Sequence, residues 1–289
     1  YAIKVYGQGH VICHNTISNF HDGICIDTHG LPHEGKNKKC VSIDIYRNDI
    51  FNMSDDFIEA DGASHNIRVF ENRGFNSYHA GLSAQPVFGG PVYFLRNIIY
   101  QVPGTALKFK VRTSGIYTMH NTFCADVSID PSSNAHFMNN LLLGPNEKRA
   151  SISGGFLTTY STLDYNAYYE KSNMQFRWKY PVHDSLNHRD ASELEWINAK
   201  NLADFSVKTG FEENGILTSY DIFENVLKPD PLQPAKVIPI GNSDFRLKES
   251  ANVIDKGIHL PNVNDGFTGS APDIGALEYG KKEPLYGKR

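Results

Sequence analysis

The sequence predicts an all-β fold, a right-handed parallel β-helix built from stacked coils of about two dozen residues. Three observations predict it: an asparagine that recurs at a nearly fixed spacing, a period-two apolar alternation before each asparagine, and a second alternating strand about nine residues after it. The recurring segments are Val11-Ile-Cys-His-Asn15, Ile43-Asp-Ile-Tyr-Arg-Asn48, Ile67-Arg-Val-Phe-Glu-Asn72, Val92-Tyr-Phe-Leu-Arg-Asn97 and Ile116-Tyr-Thr-Met-His-Asn121. Phe137-Met-Asn-Asn140 continues the series, and Tyr165-Asn166 is a degenerate last member. The spacings between successive asparagines are 33, 24, 25, 24 and 19. The first exceeds 24 by nine, and residues 28–39 read as an extra loop that accounts for it.

A coil of this length holds three short strands and three turns. It cannot bury its apolar face alone, so coils must stack, with strands about 4.8 Å apart. An asparagine at the same corner of each coil can hydrogen-bond its neighbours above and below, which satisfies amides that burial would otherwise leave unpaired. Leucine-rich and helical repeats do not fit, because the leucine pattern and the helical period are both missing.

The second strands are Ile24-Cys-Ile-Asp27, Ile58-Glu-Ala-Asp61, Leu82-Ser-Ala-Gln85 and Leu107-Lys-Phe-Lys110. Alternation points Ile24, Ile58, Leu82 and Leu107 inward, together with Ile26, Ala60, Ala84 and Phe109. It points Cys25, Glu59, Ser83 and Lys108 outward, and beside them Asp27, Asp61, Gln85 and Lys110. The inward columns are wholly apolar and the outward ones carry the charge.

After about residue 145 the pattern fades. Residues 1–145 are therefore expected to be the coils, and residues 146–289 a C-terminal cap over the open end of the solenoid. Within it, residues 190–205 read as an amphipathic helix, with Ser192 and Glu195 as a capping box and Gly210 as the stop. Four prolines between residues 229 and 239 predict an extended connection.

Composition narrows the function. Of the 289 residues, 40% are hydrophobic and 21% charged, as in a globular protein. A net charge of −4 provides no basic field for nucleic acid. No apolar run is long enough to span a bilayer. Cys13, Cys25, Cys40 and Cys124 form no C-x-x-C pair and read as buried or half-buried free thiols rather than zinc ligands. The chain opens at Tyr1 already in strand pattern, which suggests a processed N-terminus or earlier coils.

These asparagine-laddered coils resemble the parallel β-helix repeats of the pectate-lyase-like superfamily. The stretch from Asp56-Phe-Ile-Glu-Ala-Asp-Gly62 through Gly81-Leu-Ser-Ala-Gln-Pro86 and Gly89-Gly-Pro-Val-Tyr93 to His120-Asn-Thr122 resembles a bacterial subgroup, the right-handed parallel β-helix repeat-containing proteins. Phe245-Arg-Leu247, Val253-Ile-Asp-Lys-Gly257 and Asp273-Ile-Gly-Ala-Leu-Glu-Tyr279 are similar to the closing segment of such proteins. The resemblance implies a secreted, periplasmic or cell-surface protein, with a polysaccharide groove on the outer face of one sheet. It does not choose a reaction.

Three readings of that groove follow. In a polysaccharide lyase, Lys108 or Lys110 would be the base if neighbouring cations depress its pKa, with Arg112 beside them. Asp27, Glu59 and Asp61 would hold Ca²⁺ as a bridge to an acidic sugar. In a glycoside hydrolase, Glu59 and Asp61 would act as the paired carboxylates. In a non-catalytic carbohydrate-binding solenoid, Tyr46, Tyr78, Phe88, Tyr93 and Tyr100 would stack on sugars. His79, in the turn before Gly81, is a further acid or base. Gln85, Ser83, Arg112 and Tyr93 complete the substrate contacts. The lyase, acting as a monomer, is the preferred reading.

Overall fold

The computed structural model describes residues 1–26, 40–180, 192 and 194–288. Asp27 and residues 28–39 lie outside the described residues. Three parallel sheets build the solenoid, and each of the first five coils contributes one strand to each sheet. The first sheet contains Ile3–Lys4, Ile24–Cys25, Ile58–Glu59, Ala80–Ala84 and Thr105–Phe109. The second has seven strands and the third eight. The protein is a parallel β-helix.

The ladder forms as the repeat requires. The side-chain amide of Asn15 donates to Asn48 Oδ1 at 2.8 Å, Asn48 to Asn72 at 2.9 Å, Asn72 to Asn97 at 3.0 Å and Asn97 to Asn121 at 2.9 Å. Asn121 then donates to Asn140 at 3.0 Å and Asn140 to Asn166 at 2.9 Å. The residue before each ladder asparagine adopts positive φ, as His14, Arg47, Glu71, Arg96 and His120 show. That left-handed step turns the chain from the second sheet into the third.

The registers of the first sheet match the expected columns. Ile24 pairs with Ile58, Ile58 with Leu82, and Leu82 with Leu107. Cys25, Glu59, Ser83 and Lys108 pair in the same order on the outer face. The inward side chains belong to one continuous core.

The coils continue past residue 145. Strands Thr162–Asp164, Ala167–Tyr169 and Ile216–Thr218 extend the second and third sheets, and Asn166 carries the ladder on to Glu212. The expected helix over 190–205 does not form as read. Glu195–Ala199 is a strand, antiparallel to Phe176–Tyr180, and the helix spans Leu202–Thr209. Asn201 caps it by accepting from the Asp204 amide, and Gly210 ends it in the left-handed conformation. Trp196, Ile197 and Ala199 fit a strand between core and solvent better than a helix face, and tertiary pairing decides the outcome.

Residues 220–288 lie along the solenoid rather than only over its end. The outer face of the third sheet is apolar, with Phe75, Ile98, Tyr100, Cys124 and Leu141 buried in a second core. Phe245 packs against Phe75 and Tyr100 with ring centroids 5.8 and 5.6 Å apart. Farther along, Ala276 donates its amide to Thr122 Oγ1, and Lys288 donates to Thr16 Oγ1 in the first coil. A parallel sheet apolar on both faces needs both covered. The same segment buries His120, whose Nε2 meets the side-chain amides of Asn139 and Asn264. All four cysteines are free thiols, three of them buried. Among the described residues no helix is long and apolar enough to cross a membrane.

Candidate active site

The corner leading from the third sheet into the first gathers the charge. Asp22 and Asp56 each stand two residues before the first apolar residue of a first-sheet strand, Ile24 and Ile58. Successive coils therefore place one above the other, and the Asp56 amide donates to Asp22 Oδ1 at 3.2 Å. Phe57 anchors the corner. Its ring lies so close to Gly74 that a Cβ there would come within 2.4 Å of it.

Four carboxylates meet at this corner: Asp22, Asp55, Asp56 and Glu59. Asp22, Asp56 and Glu59 each offer an oxygen within 4.8 Å of the others, and all three are buried. Asp55, Asp56 and His79 form an overlapping group on the same criterion, as do His21, Asp22 and Asp55. Lys108 reaches across from two coils away, its Nζ 3.0 Å from Asp56 Oδ2 and 3.2 Å from Asp55 Oδ1. His79 Nδ1 lies 2.7 Å from Asp55 Oδ1.

Crowding of like charge out of water is reflected in proton affinities. Burial pushes Asp56 up to about 8 against the pull of Lys108, and Asp55 and Glu59 add to the rise. Burial also raises Glu59, helped by Asp61 and Asp22. Asp55 goes the other way: burial would raise it, but His79 and Lys108 together hold it below the usual carboxylate range. Burial alone would lower Lys108, yet Asp56 and Asp55 hold it above the ordinary lysine value. The neighbours of Lys108 are thus anions, not the depressing cations expected from Lys110 and Arg112.

Other expected residues fall elsewhere. Asp61 is buried and committed to Ser83 Oγ at 2.6 Å and the Gln85 amide at 3.0 Å, so Asp61 and Ser83 form an internal pair. Among the described residues Asp61 joins none of the clusters able to hold a metal. Lys110 turns away to an ion pair with Asp130 at 2.9 Å. Arg112 is exposed beyond the end of Thr105–Phe109. Tyr93 lies on the second sheet, its ring 5.2 Å from Tyr117, and does not share a sheet with the acids. Tyr100 is buried in the second core, whereas Tyr78 is 66% exposed beside His79. Glu59, Lys108 and His79 are brought together. Asp22, Asp55 and Asp56 join them without having been singled out in the sequence.

The donor set suits a hard cation. Carboxylate oxygens in this number fit Ca²⁺, and Asp56 Oδ1 is buried without a hydrogen-bond partner among the described residues. Asp22, Asp55, Asp56 and Glu59 are the residues that would hold it.

No protein-family model matches the chain, and no curated protein matches it. Among solved structures it is similar to the crystal structure of pectate lyase Pel9A, at 15% identity over 96% of this chain and 67% of that one, with a TM-score of 0.38.

Proposed function

We propose that the protein is an extracellular polysaccharide lyase that cleaves a uronic-acid-containing glycan by β-elimination at the Lys108 corner. One observation carries the reading: a lysine amine, 13% exposed, held against a surplus of buried carboxylates at the edge of an outward-facing sheet. β-Elimination needs a base for the C5 proton and a way to hold the charge that develops on the uronate carboxyl. Lys108 is the base. Its Nζ, as the neutral amine, takes the C5 proton, the C4–O4 bond breaks, the electron pair becomes the C4–C5 double bond, and the leaving oxygen takes a proton from solvent. Asp56 and Asp55 favour the charged form of Lys108, so the amine acts as a base once the charge of those carboxylates is offset. Asp22, Asp55, Asp56 and Glu59 would hold Ca²⁺, which would supply a Lewis acid for the uronate carboxyl and positive charge that favours the neutral amine of Lys108. His79, tied to Asp55, fixes the rim of the corner and remains a candidate proton carrier.

The test is incubation with a panel of polyuronates in the presence of calcium, following the ultraviolet absorbance of the unsaturated product. The reading expects a rise that Lys108→Ala abolishes. Reducing ends released without that absorbance would make the protein a glycoside hydrolase. Glycan binding without either signal would make it a binding solenoid.

A further inference from the structure

The outer face of the first sheet does not stop at Lys108. The Asp130 amide donates to the Phe109 carbonyl at 3.0 Å, which sets Asp130 opposite Lys110 and Ser128 opposite Lys108. Ser128 then bridges to Ser153, Ser153 pairs with Arg177, and Arg177 with Asn198. One outer column therefore runs from Glu59 through Lys108 to Arg177. Its neighbour runs from Lys110 and Asp130 through Gly155 to Lys179 and Trp196. Arg177 stands three coils beyond Lys108, about 14 Å at the spacing of parallel strands. Between them, among the described residues, lie Ser128 and Ser153 in one column and Gly155 in the other, beyond Asp130, whose charge is paired with Lys110, so the floor of the face is low there.

At the far end stands Trp196, 42% exposed. Strand alternation puts Trp178 wholly inside the core while Arg177 and Lys179, its neighbours, face out. The Arg177 guanidinium lies 4.3 Å from the centroid of the Trp196 ring and the Lys179 amine 5.2 Å from it. The two cations fix the ring on the surface. An aromatic face offers a platform for the C–H face of a pyranose, and cations beside it match uronate carboxylates.

We propose that Arg177, Lys179 and Trp196 form a distal subsite that binds an acidic glycan chain whose reacting unit lies at Lys108. The proposal rests on the polyuronate reading of that corner. It makes affinity depend on chain length: a polymer engages both places, a short oligomer only the Lys108 coils.

The full chain and its Trp196→Ala, Trp196→Phe and Arg177→Ala variants would be compared in two assays. One is equilibrium binding to polygalacturonate, with a neutral glucan as control. The other is initial rates on the polymer and on a short oligomer. The expected result is about tenfold weaker polymer binding and a matching rise in KM for Trp196→Ala, with kcat and short-oligomer rates unchanged. Trp196→Phe should recover most of the loss, and an unshifted thermal midpoint would show that the fold is intact. Unaltered polymer binding in Trp196→Ala and Arg177→Ala, or equal losses on long and short substrates, would overturn the subsite. If the wild type binds polygalacturonate and gives no unsaturated product, while Trp196→Ala weakens binding, the subsite stands and the lyase reading falls. If product forms and Trp196→Ala binds and turns over the polymer normally, the lyase stands and the subsite falls. No binding of polygalacturonate by the wild type overturns both.

Discussion

Two corners of the same solenoid bury polar side chains in opposite ways. At the corner between the second and third sheets, each ladder amide finds partners on both sides. Asn97, for example, donates to Asn121 Oδ1 and the Val69 carbonyl and accepts from Asn72. At the corner between the third and first sheets, Asp22, Asp55, Asp56 and Glu59 face one another with Lys108 between two of them, and Asp56 Oδ1 has no partner among the described residues. Neutral amides repeat along a stack at no electrostatic cost, because each is donor and acceptor at once. Carboxylates only accept, so stacking them raises their proton affinity and destabilises the fold. A chain that solves burial well at one corner and poorly at another points to function at the second.

The largest effect that would break this contrast lies at the ladder. Asn97→Ala strips partners from the Asn72 amides, the Val69 carbonyl and Asn121 together. It should cost about 3 kcal/mol or more in chemical denaturation, given the penalty for each unsatisfied buried group. A loss below ~1 kcal/mol would show that the ladder is decorative. Next comes the acidic corner. Calcium at a hundredfold excess over its Kd should stabilise the wild type by about 2.7 kcal/mol and leave Asp56→Asn nearly unmoved. Equal stabilisation of both proteins in thermal melts would place the cation elsewhere.

The third effect, spread over several pH units, lies where the two kinds of burial meet. Glu212 ends the ladder, accepting from Asn166 Nδ2 at 2.7 Å and from the Tyr168 hydroxyl at 2.7 Å. Burial lifts its pKa from 4.5 to about 8, despite the opposing hydrogen bonds from Tyr168 and Asn166. Between those values the folded chain keeps a proton that the unfolded chain has lost. Stability should therefore fall as pH rises from about 4.5 to about 8, by at most about 1.4 kcal/mol per pH unit from this group. Glu212→Gln should flatten that part of the profile, and an unchanged slope would mean that Glu212 is ionised in the native state.

The two corners were also unequally legible in the sequence. The ladder could be read because its asparagines recur in register with the alternation, and neither depends on what surrounds them. Glu59, Lys108 and His79 were legible because strand alternation sends the first two outward and the turn before Gly81 holds the third. Asp22, Asp55 and Asp56 escaped because they sit in the preceding turn, where period two says nothing. The available signal was an acid two residues ahead of the first inward isoleucine in two successive coils, Asp22 before Ile24 and Asp56 before Ile58. Tyr93 was misplaced because side-chain chemistry does not reveal which sheet a strand joins. Lys110 was grouped with Lys108 because both face outward, although neighbouring columns lead to different partners. The helix start failed at Ser192 because pairing with Phe176–Tyr180 made Glu195–Ala199 a strand.

Those two lysines give the most direct test. Lys108 and Lys110 are two residues apart on one strand and both are cationic, but only Lys108 enters the acidic corner, while Lys110 pairs with Asp130. Formation of unsaturated uronate product should be measured with calcium and a polyuronate for Lys108→Ala and Lys110→Ala side by side. The account predicts a loss of about 10²–10⁴-fold for Lys108→Ala, the range for removing a positioned base, and near-wild-type turnover for Lys110→Ala. Product formed at the normal rate by Lys108→Ala, or lost only in Lys110→Ala, would contradict it.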